Sequence, residues 1–209
     1  MCIRDSNTTT LTNAVTVTTA ALTITASSPT KAYGAALPAL TASYLGFVNG
    51  DTSASLTTQP ILTTTATAVS AVGSYSTSAS GAVDSNYTIS YVGGTLSVTP
   101  VALTITANSF SRAYNTANPT LTASYAGFVN GDSATNLTTQ PAISTTAIAT
   151  SPVGTYPITA TGAVDGNYTI GYVAGVMTVT TGTYTVSYTH LDVYKRQMPA
   201  SSTATPPPT

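Results

Sequence analysis

The chain contains very few of the side chains that catalyse reactions or bind metals. Its 209 residues include one cysteine, one histidine and no tryptophan, and only 5% of them are charged. A single cysteine excludes an internal disulfide framework. Because no two carboxylates lie close together in the sequence, there is no local pair for general acid–base catalysis. We therefore predict that the chain is not an enzyme and has no catalytic residues and no cofactor.

Strong charge and long apolar runs are also missing. A net charge of −1 provides no field that would attract nucleic acid, so we expect no nucleic-acid partner. No apolar run approaches the roughly eighteen residues that span a bilayer, so we expect no membrane insertion. The chain is instead rich in threonine and valine, and tyrosine is its main aromatic residue. These side chains favour β-strands.

The two ends of the chain differ from the rest. Residues 1–6 read MCIRDS and residues 186–197 read VSYTHLDVYKRQ, and both resemble translations of one sequencing-library adapter in different frames. We interpret both as adapter artefact and exclude them from fold reasoning. This removes the only cysteine, Cys2, and the only histidine, His190. Residues 198–209 form a Pro-rich tail, which is either a linker or further joined DNA.

The strongest signal in the sequence is an internal repeat. TASYLGFVNGD at 41–51 returns as TASYAGFVNGD at 122–132, an offset of 122 − 41 = 81 residues. A fixed period of this kind is typical of arrays of small modules. The sequence divides into residues 7–20 as the end of a preceding repeat, residues 21–101 and 102–182 as two complete repeats, and residues 183–185 as the start of a next one.

Each repeat has the alternation of β-strands. Leu22 and Ile24 alternate with Thr23 and Thr25, which places apolar side chains on one face. We predict a mainly β chain of two tandem small modules. An immunoglobulin-like sandwich is favoured, and a β-grasp-like sheet with one short helix is the alternative. The strands of the first repeat are predicted near residues 21–26, 40–47, 61–67, 74–80, 86–92 and 95–99.

Turn signals add detail to this prediction. Gly93-Gly94 indicates a hairpin turn between the last two strands. Asp51 and Asp132 are candidates to cap one helical turn each, at 52–56 and 133–137. Pro157 is expected at a strand edge or a bulge. The predicted core of the first repeat consists of Tyr33, Tyr44, Phe47, Tyr75, Ile89, Tyr91 and Val98. Because only Pro100-Val101 joins the repeats, we expect them to be coaxial and rod-like.

The repeat also carries a set of short motifs. They are KAYG at 31–34, PALTA at 38–42, GFVNGD at 46–51, VGSY at 72–75, NYT at 86–88 and GTLSV at 94–98. With these motifs the unit resembles the MBG domain of the YGX type, found in tandem in large bacterial filamentous-haemagglutinin-like surface proteins. The second repeat departs from the pattern, with Asn115 after Tyr114. The resemblance implies secretion, surface display and an adhesive or stalk role.

Several side chains are candidates for a specific site. Four aspartates, Asp51, Asp84, Asp132 and Asp165, lie in turns; we favour a structural role over calcium binding, for which ligands are too sparse. Lys31 suggests an isopeptide bond, but Arg112 at the equivalent position cannot form one. We interpret both as unpaired cations at the surface or at strand ends. Threonine rows such as Thr23 and Thr25 are expected to face solvent, and most of the tyrosines are expected in the core rather than on a sugar-binding platform.

The leading functional hypothesis is a structural or adhesive repeat of a secreted bacterial surface protein, an adhesin stalk. The alternatives are a carbohydrate- or protein-binding module and a spacer attached to a secreted enzyme. The expected partners are neighbouring repeats of the same chain, with host or matrix glycans or proteins as further candidates. We predict no catalytic, cofactor-binding or metal-binding residues.

Overall fold

A computed structural model describes residues 15–182 and contains two modules of the same strand order. The mainly β fold and the two tandem modules are therefore confirmed. The adapter-like segments, the Pro-rich tail and the start of a next repeat at 183–185 lie outside the described residues. So do residues 7–14 of the preceding repeat.

Each repeat has seven strands, one more than predicted. In the first repeat they are β1 Ala20–Ala26, β2 Thr30–Ala32, β3 Ala42–Leu45, β4 Ile61–Thr64, β5 Gly73–Ser80, β6 Tyr87–Val92 and β7 Gly94–Thr99. In the second repeat they are β8 Val101–Ala107, β9 Phe110–Ala113, β10 Ala123–Ala126, β11 Ala142–Thr145, β12 Gly154–Thr161, β13 Tyr168–Val173 and β14 Gly175–Thr180. The additional strand, β2 or β9, is too short to show an alternation of its own.

The strands of each repeat form two sheets. In the first repeat, one sheet has the order β3-β1-β6 and the other has the order β2-β7-β5-β4. Each sheet contains one parallel pair, β1 with β6 and β2 with β7. The second repeat has the equivalent sheets, β10-β8-β13 and β9-β14-β12-β11. Strands of the two sheets contact each other, β1 and β6 with β5, so each repeat is a two-layer sandwich.

The predicted hairpin at Gly93-Gly94 is wrong. Strands β6 and β7 follow each other in the chain but belong to different sheets, because β6 pairs with β1 and β7 pairs with β5. Gly94 lies where the chain crosses from one sheet to the other. A Cβ atom on Gly94 would lie 2.6 Å from the carbonyl oxygens of both Ala26 and Ser27. Backbone therefore approaches backbone too closely here for any side chain.

The core forms where the alternating faces of the sheets meet. Leu22 and Ile24 of β1 and Leu96 of β7 have no exposed surface. Of the predicted core residues, Tyr33 and Val98 are buried. Four others are half-buried and pack against the core: Tyr44, Phe47, Tyr75 and Ile89.

The predicted core position of Tyr91 is wrong, because its side chain is 40% exposed. Its hydroxyl accepts the N–H of Ala82 at 2.8 Å and donates to the carbonyl of the same residue at 3.2 Å. Tyr91 therefore fastens the turn that precedes its own strand. Tyr87, at the start of that strand, is buried instead.

The predicted helical turns are present as 3-10 helices at Ser53–Ser55 and Ala134–Asn136. Their N-cap residues are Thr52 and Ser133, so the predicted capping role of Asp51 and Asp132 is wrong. In the second repeat the N–H of Ser133 donates to Asn136 Oδ1 at 2.9 Å. The two aspartates are occupied elsewhere, by tyrosine hydroxyls.

Pro157 lies in β12, which is an interior strand with β11 on one side and β14 on the other. The predicted edge-strand position is therefore wrong. The strand tolerates proline because β11 ends at Thr145, whose partner is Ile158, so the ladder on that side stops one residue before Pro157. The carbonyl of Pro157 points to that side and accepts the Thr145 hydroxyl at 2.8 Å. No ladder hydrogen bond is lost.

Candidate functional site

A cluster of polar side chains lies between the two repeats, and we call it the joint. Tyr33, which follows β2, donates its hydroxyl to Asp132 Oδ2 of the second repeat at 3.0 Å. Tyr168 donates its hydroxyl to the same oxygen at 2.7 Å. The two tyrosine rings meet edge to face, with centroids 5.7 Å apart. One carboxylate oxygen therefore connects side chains of both repeats.

Backbone groups of the first repeat also take part in the joint. The N–H of Val72 donates to Asn167 Oδ1 at 2.9 Å, and Asn130 Nδ2 donates to the Val69 carbonyl at 3.4 Å. Asn167 is itself held, because its N–H donates to Asp165 Oδ1 at 2.8 Å. The loop of residues 69–72 is thus fixed against two loops of the second repeat.

Apolar contacts make the joint continuous with the cores. Tyr33, Leu96 and Val98 belong to the same buried cluster as Leu103 and Ile105 of the second repeat. Gly34 lies directly against Val129, which is half-buried. Burial of this kind removes apolar surface from water and favours association of the two modules.

The equivalent positions at the outer ends are more exposed. Tyr114, the counterpart of Tyr33, is 40% exposed, whereas Tyr33 is 7% exposed. Val48, the counterpart of Val129, is 45% exposed. Tyr87 donates its hydroxyl to Asp51 Oδ2 at 2.8 Å, as Tyr168 does to Asp132. Each repeat therefore carries both halves of a joint, one at each end.

Lys31 and Arg112 are buried, so their interpretation as unpaired surface cations is wrong. Lys31 Nζ donates to the carbonyls of Ala68 at 2.8 Å and Ala35 at 3.0 Å. One of these carbonyls lies in the loop that follows Tyr33, and the other lies in the loop that contains Val69 and Val72 of the joint. Buried charge requires such partners, and no carboxylate is needed when carbonyl oxygens surround the ammonium group.

Arg112 also donates hydrogen bonds to loop carbonyls in the second repeat, and it uses more N–H groups than Lys31 does. Its Nη1 donates to the Ala149 carbonyl at 3.2 Å, and its Nη2 donates to the Ile148 carbonyl. Its Nε donates to Asn118 Oδ1 at 2.6 Å. Sequence reasoning missed this role because a lone cation among uncharged residues gives no indication of carbonyl partners.

The four aspartates have two different structural roles. Asp84 accepts the N–H of Asn86 at 2.8 Å, and Asp165 accepts the N–H of Asn167 at 2.8 Å. These are Asx turns, as the turn interpretation predicted. Asp51 and the fourth aspartate, Asp132, accept tyrosine hydroxyls. Within residues 15–182, no three His, Cys, Asp or Glu side chains are grouped as metal ligands would be.

We expect chelator to leave the stability of the chain unchanged, because the aspartates already accept hydrogen bonds within the repeats and, for Asp132, also across the joint. A bound ion would add RT ln(1 + [L]/Kd), about 2.7 kcal/mol at a hundredfold excess over Kd. For modules of this size each kcal/mol moves the melting temperature by roughly 4–8 °C. Thermal unfolding with EDTA and with added calcium measures this. A drop of several degrees with EDTA, restored by calcium and absent in Asp51→Ala or Asp84→Ala, would contradict it.

The joint contains a tyrosine with perturbed acidity. Burial raises the pKa of Tyr168 to about 12, and hydrogen bonding and charge from Asp132 act in the same direction. The Val129 backbone partly opposes them. Asp132 can accept a hydrogen bond from Tyr168 only while the hydroxyl keeps its proton, whereas the Val129 N–H donates to the tyrosine oxygen in either state.

We therefore expect stability to fall in alkaline solution. Unfolded tyrosine has a pKa of about 10, below the folded value of Tyr168. The folded chain then holds the proton more tightly, so the stabilisation is complete below pH 10 and is lost as the pH rises towards about 12. Urea midpoints between pH 9 and 11.5 measure this. Tyr168→Phe should flatten the profile. Equal slopes in the variant and the wild-type chain would contradict the prediction.

The sequence pattern of a known family matches both repeats. The MBG domain of the YGX type matches residues 22–97 and again residues 103–178. The chain belongs to the MBG domain family of the YGX type. The matched ranges cover nearly all of both strand sandwiches. The motif tyrosine of the first MBG domain, Tyr33, lies in the joint, and Tyr114 is its counterpart in the second domain. The family is one of structural repeat modules and not of enzymes. No curated protein matches the chain.

Sequence reasoning found the MBG motifs but not what they do. The local pattern predicts Tyr33 in the core and Asp132 in a turn, and the structure brings Tyr33-Gly34 and Val129-Asn130-Gly131-Asp132 together across the joint. The signal in the sequence is repetition, because Tyr33 returns as Tyr114, and Val48-Asn49-Gly50-Asp51 returns unchanged as Val129-Asn130-Gly131-Asp132. In the part of the chain that is described, no helix is both long and apolar enough to cross a membrane.

Proposed function

We propose that this chain is a segment of an extracellular MBG repeat array that holds a binding domain at a distance from a bacterial cell surface. The observation that carries the proposal is the joint, where Tyr33 and Tyr168 donate to one oxygen of Asp132. A spacer must resist bending between its modules, and a joint with buried polar bonds and apolar packing supplies that resistance.

The composition supports the same proposal. The chain has few charged residues, many threonines in its strands and no local pair of catalytic side chains. This composition suits a module with a mechanical role. Family membership suggests an extracellular setting. Secretion and an adhesin stalk role are the specific forms of the function that we propose.

Surface labelling tests this proposal. Antibodies raised against the chain should label intact cells that express the parent gene, and external protease should remove the labelling without lysing the cells. Labelling that appears only after permeabilisation would contradict an extracellular array.

A second candidate is a carbohydrate-binding module. Tyr172 is 41% exposed and borders a shallow groove of about 280 Å³ with Ala163, Asp165 and Ile170. The aromatic ring offers an apolar face, and the neighbouring carboxylate offers hydrogen-bond acceptors for sugar hydroxyls. Glycan-array binding by the chain that Tyr172→Ala abolishes would favour this function, and its absence would leave the spacer function alone.

A further inference from the structure

Equivalent positions after the motif tyrosine carry different residues in the two repeats. Gly34 in the first repeat has φ +75° and Asn115 in the second has φ +64°. Asparagine is one of the few residues other than glycine that tolerate this left-handed conformation. Because both residues take the same backbone conformation in the same fold, backbone geometry does not account for the choice between them.

The two positions differ in what a side chain would meet. A Cβ atom at Gly34 would lie 2.8 Å from Val129 Cγ2 and 2.9 Å from Val129 Cβ. Approaches under 3.0 Å are essentially never made by real Cβ atoms. The Cβ of valine is fixed to the backbone, so the clash is not relieved by rotating the side chain. Asparagine at 34 and valine at 129 are therefore incompatible in the closed joint.

We propose that the residue after the motif tyrosine selects which following repeat can dock. Glycine accepts a repeat with valine at the position of Val129, whereas asparagine accepts only a repeat with glycine there, because any Cβ atom at that position would clash with it. The face around Tyr114 and Asn115 therefore takes an MBG repeat with glycine at that position, and not a copy of either repeat of this chain, which carry Val48 and Val129. This inference rests on the proposed function as an array of docked repeats.

The docked face and the outer face differ in exposure. Tyr33, followed by glycine, is 7% exposed under its docked neighbour, and Tyr114, followed by asparagine, is 40% exposed. Val153, which corresponds to Val72 of the joint, is 55% exposed. The fold already accommodates asparagine at this place in the second repeat, so substitution in the first repeat changes the joint and spares the sandwich.

The test uses the whole chain and the amide of Val72 as a reporter of the joint, since it donates to Asn167 across the repeats. In the Gly34→Asn variant we expect hydrogen exchange at Val72 to accelerate roughly tenfold or more, as for other local openings. The amide of Ile24, within the first sandwich, should keep its rate. Asn115→Gly, the matched substitution at the far end of the second repeat, should leave the Val72 rate unchanged.

A compensating substitution separates steric selection from simple damage. Val129→Gly removes both atoms that the asparagine meets, so Gly34→Asn combined with Val129→Gly should exchange more slowly at Val72 than Gly34→Asn alone. The inference is overturned if Gly34→Asn leaves the Val72 rate within twofold of wild type, or if Val129→Gly gives no rescue. A Val72 amide that is already unprotected in the wild-type chain would instead contradict the docked array of the proposed function.

Discussion

Gly175→Ala is expected to destabilise the second repeat by about 3 kcal/mol or more, because a side chain cannot enter the crossing between its sheets. The new Cβ would lie 2.8 Å from the Asn108 carbonyl oxygen and closer still to that of Ala107. Both are backbone atoms of the segment that leaves β8, so relief requires the layers to separate. For a module of this size the melting temperature should fall by roughly 12–24 °C.

The same strand region provides a matched control for this prediction. Gly171→Ser copies Ser90 of the first repeat, and a Cβ atom at Gly171 meets nothing within 4 Å. Its melting temperature should stay within about 2 °C of wild type, as for other surface substitutions. Thermal unfolding followed by circular dichroism compares the two variants. Similar losses in both would show that glycine serves the general flexibility of these strands and not the crossing.

Lys31→Met is expected to destabilise the first repeat by about 2–3 kcal/mol, because it removes the charge-assisted hydrogen bonds from the buried lysine to two loop carbonyls. The methionine keeps the length and apolar contacts of the side chain, so the loss reports the bonds to Ala35 and Ala68. Because these carbonyls belong to the loops beside Tyr33, the joint should loosen as well. Urea unfolding measures the stability.

The second repeat shows how to build the control for this substitution. Lys31→Arg retains the charge, and adding Leu37→Asn supplies the partner that Asn118 provides for Arg112 Nε. Leu37 is 41% exposed, so its replacement should change the free energy of unfolding little. The double variant should lie within about 1 kcal/mol of wild type. A loss as large as that of Lys31→Met would show that the ammonium group itself, and not the satisfaction of the carbonyls, is required.

Much of the fold was predictable from local pattern. The alternation in Leu22-Thr23-Ile24-Thr25 identified β1 and its buried face, and the offset of 81 residues identified two equal modules. Parallel pairing of β1 with β6 was not predictable, because two strands more than 60 residues apart carry no local mark of their partner. The prediction of a hairpin at Gly93-Gly94 was wrong because a tight hairpin and a crossing between layers both require glycine.

The joint was less accessible from sequence than the fold. Its residues are separated by about a hundred positions, as Tyr33 and Asp132 are, and each has a sufficient local explanation as a core or turn residue. Only the comparison of a docked position with its undocked counterpart, Tyr33 with Tyr114, reveals a second role. Burial of Lys31 was likewise hidden, because its partners are backbone carbonyls, which every sequence contains.

The central claim, that the joint makes the two repeats one rigid unit, is tested most directly by residual dipolar couplings of the whole wild-type chain. Couplings from residues 20–99 and from residues 101–180 should each fit one alignment tensor, and the two tensors should agree in size and orientation. Rigid docking through Tyr33, Asp132 and Tyr168 predicts this agreement. Tensors of clearly different size would mean that the repeats move independently, and would contradict the account.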